Sequence, residues 1–348
     1  METLFRSGSP RHEHADSALS MDAPSRSALP LSGRSEGKAR ALADAAVRAL
    51  IEEAALAPKP GLADSRSGGA HADLDFALMC RSAHALHPFF LAMARAGERG
   101  RELRALRERI GLLGRQAEAA MMEATGGVNT HRGAIWALGL LVTAAGQSDD
   151  LRPCAVAKRA GMLARCHDRA APGHTGNKGE AARWRYGVGG AKAQAQAGFP
   201  QVLRAALPQL YESRRRGDSE AAARLNALLA VMVQLDDTCL LSRGGRRGLA
   251  GMQARAAGVL AAGGAGSSDG RRALQRLSDY ALAYRLSPGG AADLLAAALF
   301  LDGLGPFRLT GPRASPGRNA RWNCSGQRLF IDQGQGNGVE GNEMQGND

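Results

Sequence analysis

Apolar residues recur every three or four positions along most of the chain, which is the spacing of one face of an α-helix. The most regular run is Leu225, Leu228, Leu229, Met232 and Leu235. Similar spacing, interrupted by Gly and Pro, predicts further helices at about 38–57, 74–97, 101–124, 131–146, 151–168, 178–197, 201–216, 246–262, 270–285 and 289–303. The strict alternation that is typical of half-buried strands does not occur in the sequence.

Two of these segments, 134–145 and 294–301, are apolar on nearly every side. A helix of that kind must be covered all round, so we expect both to be central. The pattern therefore predicts an all-α fold, with a single bundle-like domain of about ten helices.

The two ends of the chain have a different composition. Residues 1–37 are rich in Ser, Arg, His and Pro, and residues 305–348 are rich in Gly, Asn, Gln and Arg, without apolar periodicity. Such segments lack the apolar surface needed to form a core. We expect a disordered extension at 1–37, a helical domain at 38–304 and a disordered tail at 305–348.

Composition supports helices and limits the classes of partner. Hydrophobic residues make up 44% of the chain but aromatic residues only 4%, so Leu and Ala, which favour helices, must fill the core. The net charge of +12 fits either a polyanionic partner or an Arg-rich composition spread over solvated surfaces. Few aromatic rings are available to stack bases, which argues against a protein that binds single-stranded nucleic acid.

The cysteines and the hydropathy pattern bear on the compartment. The 5 cysteines are odd in number and none is in CxxC spacing, which disfavours a disulfide framework or a zinc site. No apolar run reaches the length of about 18 residues that a membrane span needs, and no secretory signal pattern opens the chain. We expect a cytoplasmic protein without a membrane partner.

Polar, Gly-rich junctions between the apolar helices carry the candidate chemistry. The first, at 58–73, contains Lys59, Asp64, His71 and Asp73 after two prolines that stop a helix. Its pattern fits both a functional loop and a plain helix stop followed by an Asp-initiated helix.

The second junction, at 125–133, leads into an apolar helix. Backbone N–H groups of a Gly-rich loop at a helix start bind anions, and the loop adds cationic and polar donors. The candidate anion-binding residues are Gly126, Gly127, Asn129, Thr130, His131 and Arg132. An ordinary loop with an Asn129 or Thr130 cap is the alternative. Glu118, about two turns upstream, is either a metal ligand or a solvated acid.

Three more junctions follow along the chain. The one at 186–200 contains Lys192 and fits either close backbone approach or a hinge. The one at 236–245 places two acids at a predicted helix C-terminus, where they oppose the helix dipole unless a cation or an arginine lies nearby. The one at 287–293 begins with Ser and Pro, which start helices well. The residues of interest in the last two are Asp236, Asp237, Arg243, Gly244, Ser287, Gly289 and Asp293.

Together these segments resemble the triphosphoribosyl-dephospho-CoA synthase family, which serves citrate lyase and malonate decarboxylase. The matching strings, in the family's order across 38–304, are PKPGLAD (58–64), GAHADLD (69–75), ATGGVNTHRGAIWALGLL (124–141), YGVGGAKAQAQAGFP (186–200), DDTCLLSRGG (236–245) and LSPGGAADLLAAALFLD (286–302). The last two look more like the malonate decarboxylase branch. Arg132 stands where the family usually has Lys, which keeps the charge but changes its geometry.

The resemblance implies an all-α fold and a defined reaction. Ribose C1 of ATP would be transferred to the 2′-hydroxyl of 3′-dephospho-CoA, with release of adenine. The product would be the precursor of a prosthetic group that a downstream phosphoribosyl-dephospho-CoA transferase places on the acyl-carrier subunit of the decarboxylase.

This chemistry assigns candidate roles to the residues of the junctions. A carboxylate must orient or deprotonate the hydroxyl, cations and backbone donors must hold the phosphates, and Mg²⁺ is expected with ATP. The catalytic candidates are Asp237, Asp64 and His71. The phosphate-binding candidates are Lys59, Gly126, Gly127, Asn129, Thr130, His131, Arg132, Lys192, Arg243, Gly244, Ser287 and Gly289. The metal-binding candidates are Asp73, Glu118, Asp236 and Asp293, and the sequence leaves open which carboxylate is a base and which a metal ligand.

Two other functions remain open at this point. An Mg²⁺-dependent nucleotide or ADP-ribose glycosyl hydrolase would use the same acids and phosphate donors, with water as the acceptor. A basic, helical nucleic-acid-binding protein would account for the charge, but it would leave the acid-bearing Gly loops unexplained.

Overall fold

The computed structural model of the chain describes residues 31–305, with side chains from residue 37 onward. Within that range the structure contains helices and connecting loops but no strand, which confirms the all-α prediction. The predicted extensions fall mostly on residues 1–30 and 306–348, outside the described range. The first helix begins at Leu31, ahead of the predicted boundary at residue 38.

The helices follow the sequence pattern with several differences in their limits. They are α1 Leu31–Ala55, α2 Phe76–Ala85, α3 His87–Arg99, α4 Leu103–Ala124, α5 Arg132–Gln147, α6 Pro153–Arg165, α7 Lys178–Tyr186, α8 Gly190–Gln196, α9 Leu207–Arg215, α10 Glu220–Gln234, α11 Thr238–Ala261, α12 Ser268–Ala283 and α13 Gly289–Gly303. A π-helical turn, Val202–Ala206, precedes α9.

Local capping explains where the predicted segments divide. The segment 74–97 splits into α2 and α3, with Pro88 in the first turn of α3, where its missing N–H costs nothing. The segment 178–197 splits because Gly187 adopts a left-handed φ of 68° and ends α7. Helix α11 begins well before the predicted residue 246, since the Asp237 side chain caps it, and Gly245 kinks it with a φ of 60°.

Helices α5 and α13 are central, as their apolar sequences predict. Most residues of each helix are buried, and Leu138, Leu141 and Phe300 lose almost all contact with water. Helix α1 packs against α3 and α13, and α3 packs against α5. Helix α10 packs against α9, α11 and α13, which completes a layer around the two central helices.

Among the helices of residues 31–305, none is by itself long and apolar enough to cross a membrane. One pair, Glu220–Gln234 with Thr238–Ala261, passes on length and composition but is bent by 63°.

Candidate active site

A buried ion pair joins the loop after α1 to the helix itself. Its lysine, Lys59, belongs to the first junction of the sequence, whereas its acid, Glu53, does not. Lys59 Nζ lies 2.5 Å from Glu53 Oε1 and 2.8 Å from the Glu53 carbonyl oxygen, with side chains that are 1% and 5% exposed. The turn at Gly61 has a φ of +70°, and a Cβ there would collide with the Leu286 carbonyl. The loop is thereby pressed against the segment that precedes α13.

Asp64 shapes this same loop. Its Oδ2 accepts from the Lys59 backbone N–H at 3.0 Å, and its Oδ1 accepts from Arg66 N at 2.8 Å and Ser67 N at 3.0 Å. The carboxylate is buried, and all of these bonds lie within residues 59–67. The observed bonds therefore give Asp64 a part in holding Lys59 in place.

Glu53 is a site residue that lies outside the five junctions of the sequence. It lies on the buried face of α1, in register with Ala46 and Leu50, where the periodicity calls for an apolar side chain. Burial raises the pKa of its carboxyl, although Lys59 lowers it, and Asp64 raises it further. An acid at an apolar position of a helix was the signal that could have found it.

His71 lies where two distant segments meet. Its Nε2 is 2.9 Å from Ser287 Oγ, and Arg243 Nη2 is 3.2 Å from the ring. Arg243 Nη1 also donates to the carbonyl oxygen of Arg285, which ties α11 to the segment that precedes α13. Burial and the Arg243 charge lower the pKa of His71, and Asp73, at 3.7 Å, raises it. A neutral His71 can exchange hydrogen bonds with a ligand at this junction.

Asp237 joins the first turns of α11 and α13. Its Oδ1 accepts from Cys239 N at 2.7 Å and from Leu240 N at 3.3 Å, and its Oδ2 accepts from Ala291 N at 3.0 Å. The side chain is buried, and burial raises its pKa against the effect of these donors. The carboxylate therefore fixes two helix starts relative to one another.

Asp293 lies against the N-terminus of α5. A Cβ at Gly133 would collide with Asp293 Oδ2, and the Ala134 N–H donates to the carboxylate. Burial raises the pKa of Asp293 well above its ordinary value, and the negative charges of Glu53 and Asp237 raise it further. Three acids from α1, α11 and α13 thus interact in one region.

His131 caps this same end of α5. Its side chain is 3% exposed, its Nδ1 lies 2.8 Å from Ser82 Oγ, and Ser82 Oγ lies 2.6 Å from Thr130 Oγ1. Burial, and then the charge of Lys59, lower the pKa of His131 to about 3. The ring is therefore neutral at physiological pH and lies near Lys59.

The Gly-rich loop before α5 is open to solvent. Gly126 and Gly127 have φ values of 63° and 91°, with no atoms in the space that a Cβ would occupy. Asn129 Oδ1 accepts from Arg132 N at 3.3 Å, and Arg132 Nε lies 3.1 Å from Glu118 Oε2. This loop therefore leaves room for a ligand beside its backbone.

The predicted metal ligands do not come together. Asp73 and Asp236 are exposed, and Glu118 is paired with Arg132. Asp293 lies on α13, against the N-terminus of α5. No group of three or more His, Cys, Asp or Glu side chains within residues 31–305 is arranged to hold a metal ion. Mg²⁺ that binds with a nucleotide needs only one or two carboxylates, since phosphates and water complete its shell. Asp293 fits that smaller requirement better than Glu53, whose carboxylate is already paired with Lys59.

Other predicted binding residues take structural positions. Lys192 is exposed on α8, Gly244 packs against the Leu286 side chain, and Gly289 approaches Cys239 Sγ. Ser287 is buried beside His71. The structure thus brings the first, second, fourth and fifth junctions to one end of α1, α5, α11 and α13, where acids, cations and open helix starts can hold polyphosphates.

The chain is similar in sequence to the proteins of a known family. Residues 39–309 match the family described as ATP:dephospho-CoA triphosphoribosyl transferase. The chain belongs to this family. It is therefore a transferase, as the sequence resemblance predicts.

Named relatives cover nearly the same region. A protein of Azotobacter vinelandii, named probable 2-(5″-triphosphoribosyl)-3′-dephosphocoenzyme-A synthase, is 57% identical over 271 residues, which are 77% of this chain and 93% of that protein. A Klebsiella pneumoniae protein, named 2-(5″-triphosphoribosyl)-3′-dephosphocoenzyme-A synthase, is 55% identical over 273 residues, 77% of this chain and 95% of that protein. No solved structure matches the chain.

Proposed function

We propose that this transferase moves the triphosphoribosyl group of ATP to the 2′-hydroxyl of 3′-dephospho-CoA and releases adenine. Membership of the family supports both substrates. The observation that carries the proposal is the meeting of buried acids and cations from separate segments at the starts of α5, α11 and α13.

The roles of the residues follow from the charges that develop. Loss of adenine leaves positive charge on ribose C1, which nearby carboxylates stabilise. Asp293, Glu53 and Asp237 are the acids that interact in this region. Arg132, Arg243 and the open loop at Gly126 and Gly127 are proposed to bind the phosphates of the two substrates. Asp237 is our first candidate for the base that deprotonates the 2′-hydroxyl. Asp64 has a positioning role, because it holds the loop that carries Lys59.

Mg²⁺ enters this proposal as part of the ATP complex. When bound, it neutralises phosphate charge. Asp293 is the protein acid that we propose to face it, because burial and the negative charges of Glu53 and Asp237 disfavour its ionised form unless a cation lies nearby.

The product has a proposed destination. Its chemistry requires a downstream phosphoribosyl-dephospho-CoA transferase and an acyl-carrier subunit, and the DDTCLLSRGG segment favours the malonate decarboxylase system over citrate lyase. We place these steps in the cytoplasm, where ATP and dephospho-CoA are available.

Mass spectrometry of the reaction products tests the proposal. The full chain is incubated with ATP, 3′-dephospho-CoA and Mg²⁺. We expect adenine and a dephospho-CoA adduct that carries the triphosphoribosyl group, in equal amounts.

A control without dephospho-CoA separates transfer from hydrolysis. Adenine release at the same rate without the acceptor would replace the proposal with a nucleotide glycosyl hydrolase. Absence of both products would refute transfer and hydrolysis alike.

A further inference from the structure

The side chain of His131 has one nitrogen in a hydrogen-bond chain and the other without a partner. Thr130 Oγ1, Ser82 Oγ and His131 Nδ1 follow one another at 2.6 Å and 2.8 Å. His131 Nε2 is buried and has no hydrogen-bond partner among the described protein atoms. A buried polar atom without a partner costs about 1–3 kcal/mol, so this nitrogen points to a ligand atom that completes it.

The direction of the hydrogen bonds in this chain decides what Nε2 offers, and the distances fit either direction. If Thr130 donates to Ser82 and Ser82 donates to Nδ1, the ring proton resides on Nε2. Burial and the neighbouring Lys59 make the ring a weak base, with a pKa of about 3. A weakly basic neutral imidazole at a helix N-terminus acts better as a hydrogen-bond donor than as an acceptor.

The nature of this donor selects its acceptor. Phosphate oxygens carry full negative charge and pair best with guanidinium and ammonium groups, such as those of Arg132 and Arg243. A neutral N–H in a water-poor position suits a neutral acceptor that gains negative charge during the reaction. In an ATP-dependent ribosyl transfer, the nitrogens of the departing purine have this property.

We propose that His131 Nε2–H donates a hydrogen bond to N3 or N7 of the departing adenine, and that Ser82 is the positioning residue that holds His131 in the required tautomer. This inference rests on the proposed function and changes the predicted role of His131 from phosphate binding to leaving-group support. Ser82 lies on α2, outside all five junctions of the sequence.

The bond changes balance without a proton from His131. The bond from ribose C1 to purine N9 breaks and its electron pair goes to the purine, while C1 forms a bond to the 2′-oxygen of dephospho-CoA. The hydroxyl proton leaves to solvent by way of the base, proposed above as Asp237, and adenine takes one proton from solvent. The Nε2 proton stays on the ring and only stabilises the charge that develops.

ATP analogues test this contact through a double-mutant cycle between enzyme and substrate. Rates with ATP, 7-deaza-ATP and 3-deaza-ATP are measured for the wild type, His131→Ala, His131→Gln and Ser82→Ala. Each analogue removes one ring nitrogen that can accept, and the intrinsic change in leaving-group quality cancels between enzymes.

We expect the ratio of the ATP rate to the rate with one analogue to be about tenfold larger in the wild type than in His131→Ala, the effect of one lost hydrogen bond. His131→Gln should keep part of this ratio, since its amide N–H reaches a similar position. Ser82→Ala should lower kcat with KM for ATP within about threefold, and Ser82→Thr, which keeps a hydroxyl, should restore it.

Two results are decisive against the inference or its basis. If both analogue ratios are the same in all variants while the wild type makes the dephospho-CoA adduct, His131 does not support the leaving group. If the wild type makes no adduct, the proposed function itself fails. Because each ratio compares substrates on one enzyme preparation, partial unfolding of a variant does not change it.

Discussion

Lys59 and Glu53 place two charges where water barely reaches them. A buried ion pair contributes little net stability, because desolvation offsets the attraction, but removing one partner leaves the other charge unpaired. Lys59 lowers the pKa of Glu53, and the negative charge of Glu53 raises the pKa of Asp293. The lysine therefore stabilises the ionised form of an acid that lies near Asp293.

Replacing Lys59 by Met should therefore destabilise the protein by about 3–5 kcal/mol, because Glu53 is left without its cation. Urea unfolding followed by circular dichroism measures the change. Lys158→Met is the matched control, since Lys158 is exposed on α6 and its loss should cost less than about 0.5 kcal/mol. Equal stability of the Lys59 and Lys158 variants would contradict the burial of the pair.

His131 makes stability depend on pH in a defined direction. Its pKa of about 3 in the fold lies below the ordinary 6.5, so below pH 6.5 the unfolded chain binds a proton that the folded chain does not. The stability from this residue is present above pH 6.5 and is lost as the pH falls toward about 3. The raised pKa values of Glu53, Asp237 and Asp293 act in the opposite direction, since those groups bind protons more readily when folded.

The His131→Gln variant should lose this dependence. Between pH 6 and 4 we expect the wild type to lose up to about 1.4 kcal/mol more per pH unit than the variant, as measured by urea unfolding at each pH. His84→Gln, at an exposed position on α2, should follow the wild type. Parallel curves for wild type and His131→Gln would show that His131 is not held neutral.

Helix starts meet closely at the site, and glycine makes that closeness possible. At Gly133, the first turn of α5 approaches the Asp293 carboxylate so tightly that no Cβ fits. At Gly258, by contrast, nothing lies within 4 Å of the position that a Cβ would take. The same substitution should therefore have opposite effects at the two positions.

Gly133→Ala should displace Asp293 and lower kcat by about 100-fold, the cost expected of a misplaced catalytic group. Gly258→Ala should leave kcat unchanged and stabilise the protein by about 0.5–1 kcal/mol, because alanine favours an exposed helix position. Adenine release and thermal unfolding measure the two effects. Unchanged turnover in Gly133→Ala would remove the contact with Asp293 from the mechanism.

Asp237 acts between elements, because one carboxylate accepts from the first turns of both α11 and α13. Asp237→Asn keeps one acceptor oxygen but turns an amide NH₂ toward one of these N–H groups, which should cost about 1–3 kcal/mol. We expect both the turnover and the stability of Asp237→Asn to be lower than those of the wild type. Asp236→Asn, at the exposed neighbouring position, is the stability control, and full turnover in Asp237→Asn would exclude Asp237 as the base.

The whole molecule brings the site together from segments far apart in the chain. The Lys59 loop, Ser82, the start of α5 and the starts of α11 and α13 all contribute, so a ligand bound among them should stabilise the entire fold. The two central helices α5 and α13 supply both the core and the site, which couples stability to binding.

ATP with Mg²⁺ and dephospho-CoA should each raise Tm in a saturable manner, because each binds only the folded state. At a ligand concentration of a hundred times Kd, the free energy of unfolding should rise by about 2.7 kcal/mol. Differential scanning fluorimetry measures the shift, with sulfate at equal ionic strength as the control. A shift that sulfate reproduces in full would indicate non-specific anion binding to this basic chain.

Much of the fold could be predicted, because helix formation depends on local spacing. The apolar runs predicted the central position of α5 and α13, and the Gly and Pro positions predicted most helix ends. The early start of α11 was missed, since the cap formed by Asp237 was interpreted as a pair of acids at a helix C-terminus. The polar junctions predicted segments that lie close together in the fold, but the predicted metal ligands do not form one group among the described residues.

By itself, the sequence determined the helical class, the central helices and the family, because periodicity and motif order are properties of neighbouring residues. Only the tertiary structure decided which charges are buried and which are paired. The charge of Glu53 acts on Asp293, and Ser82 forms a hydrogen bond with His131, through packing between helices that lie far apart in the chain. Burial and distance set pKa values and hydrogen-bond partners, and neither quantity exists until the helices pack.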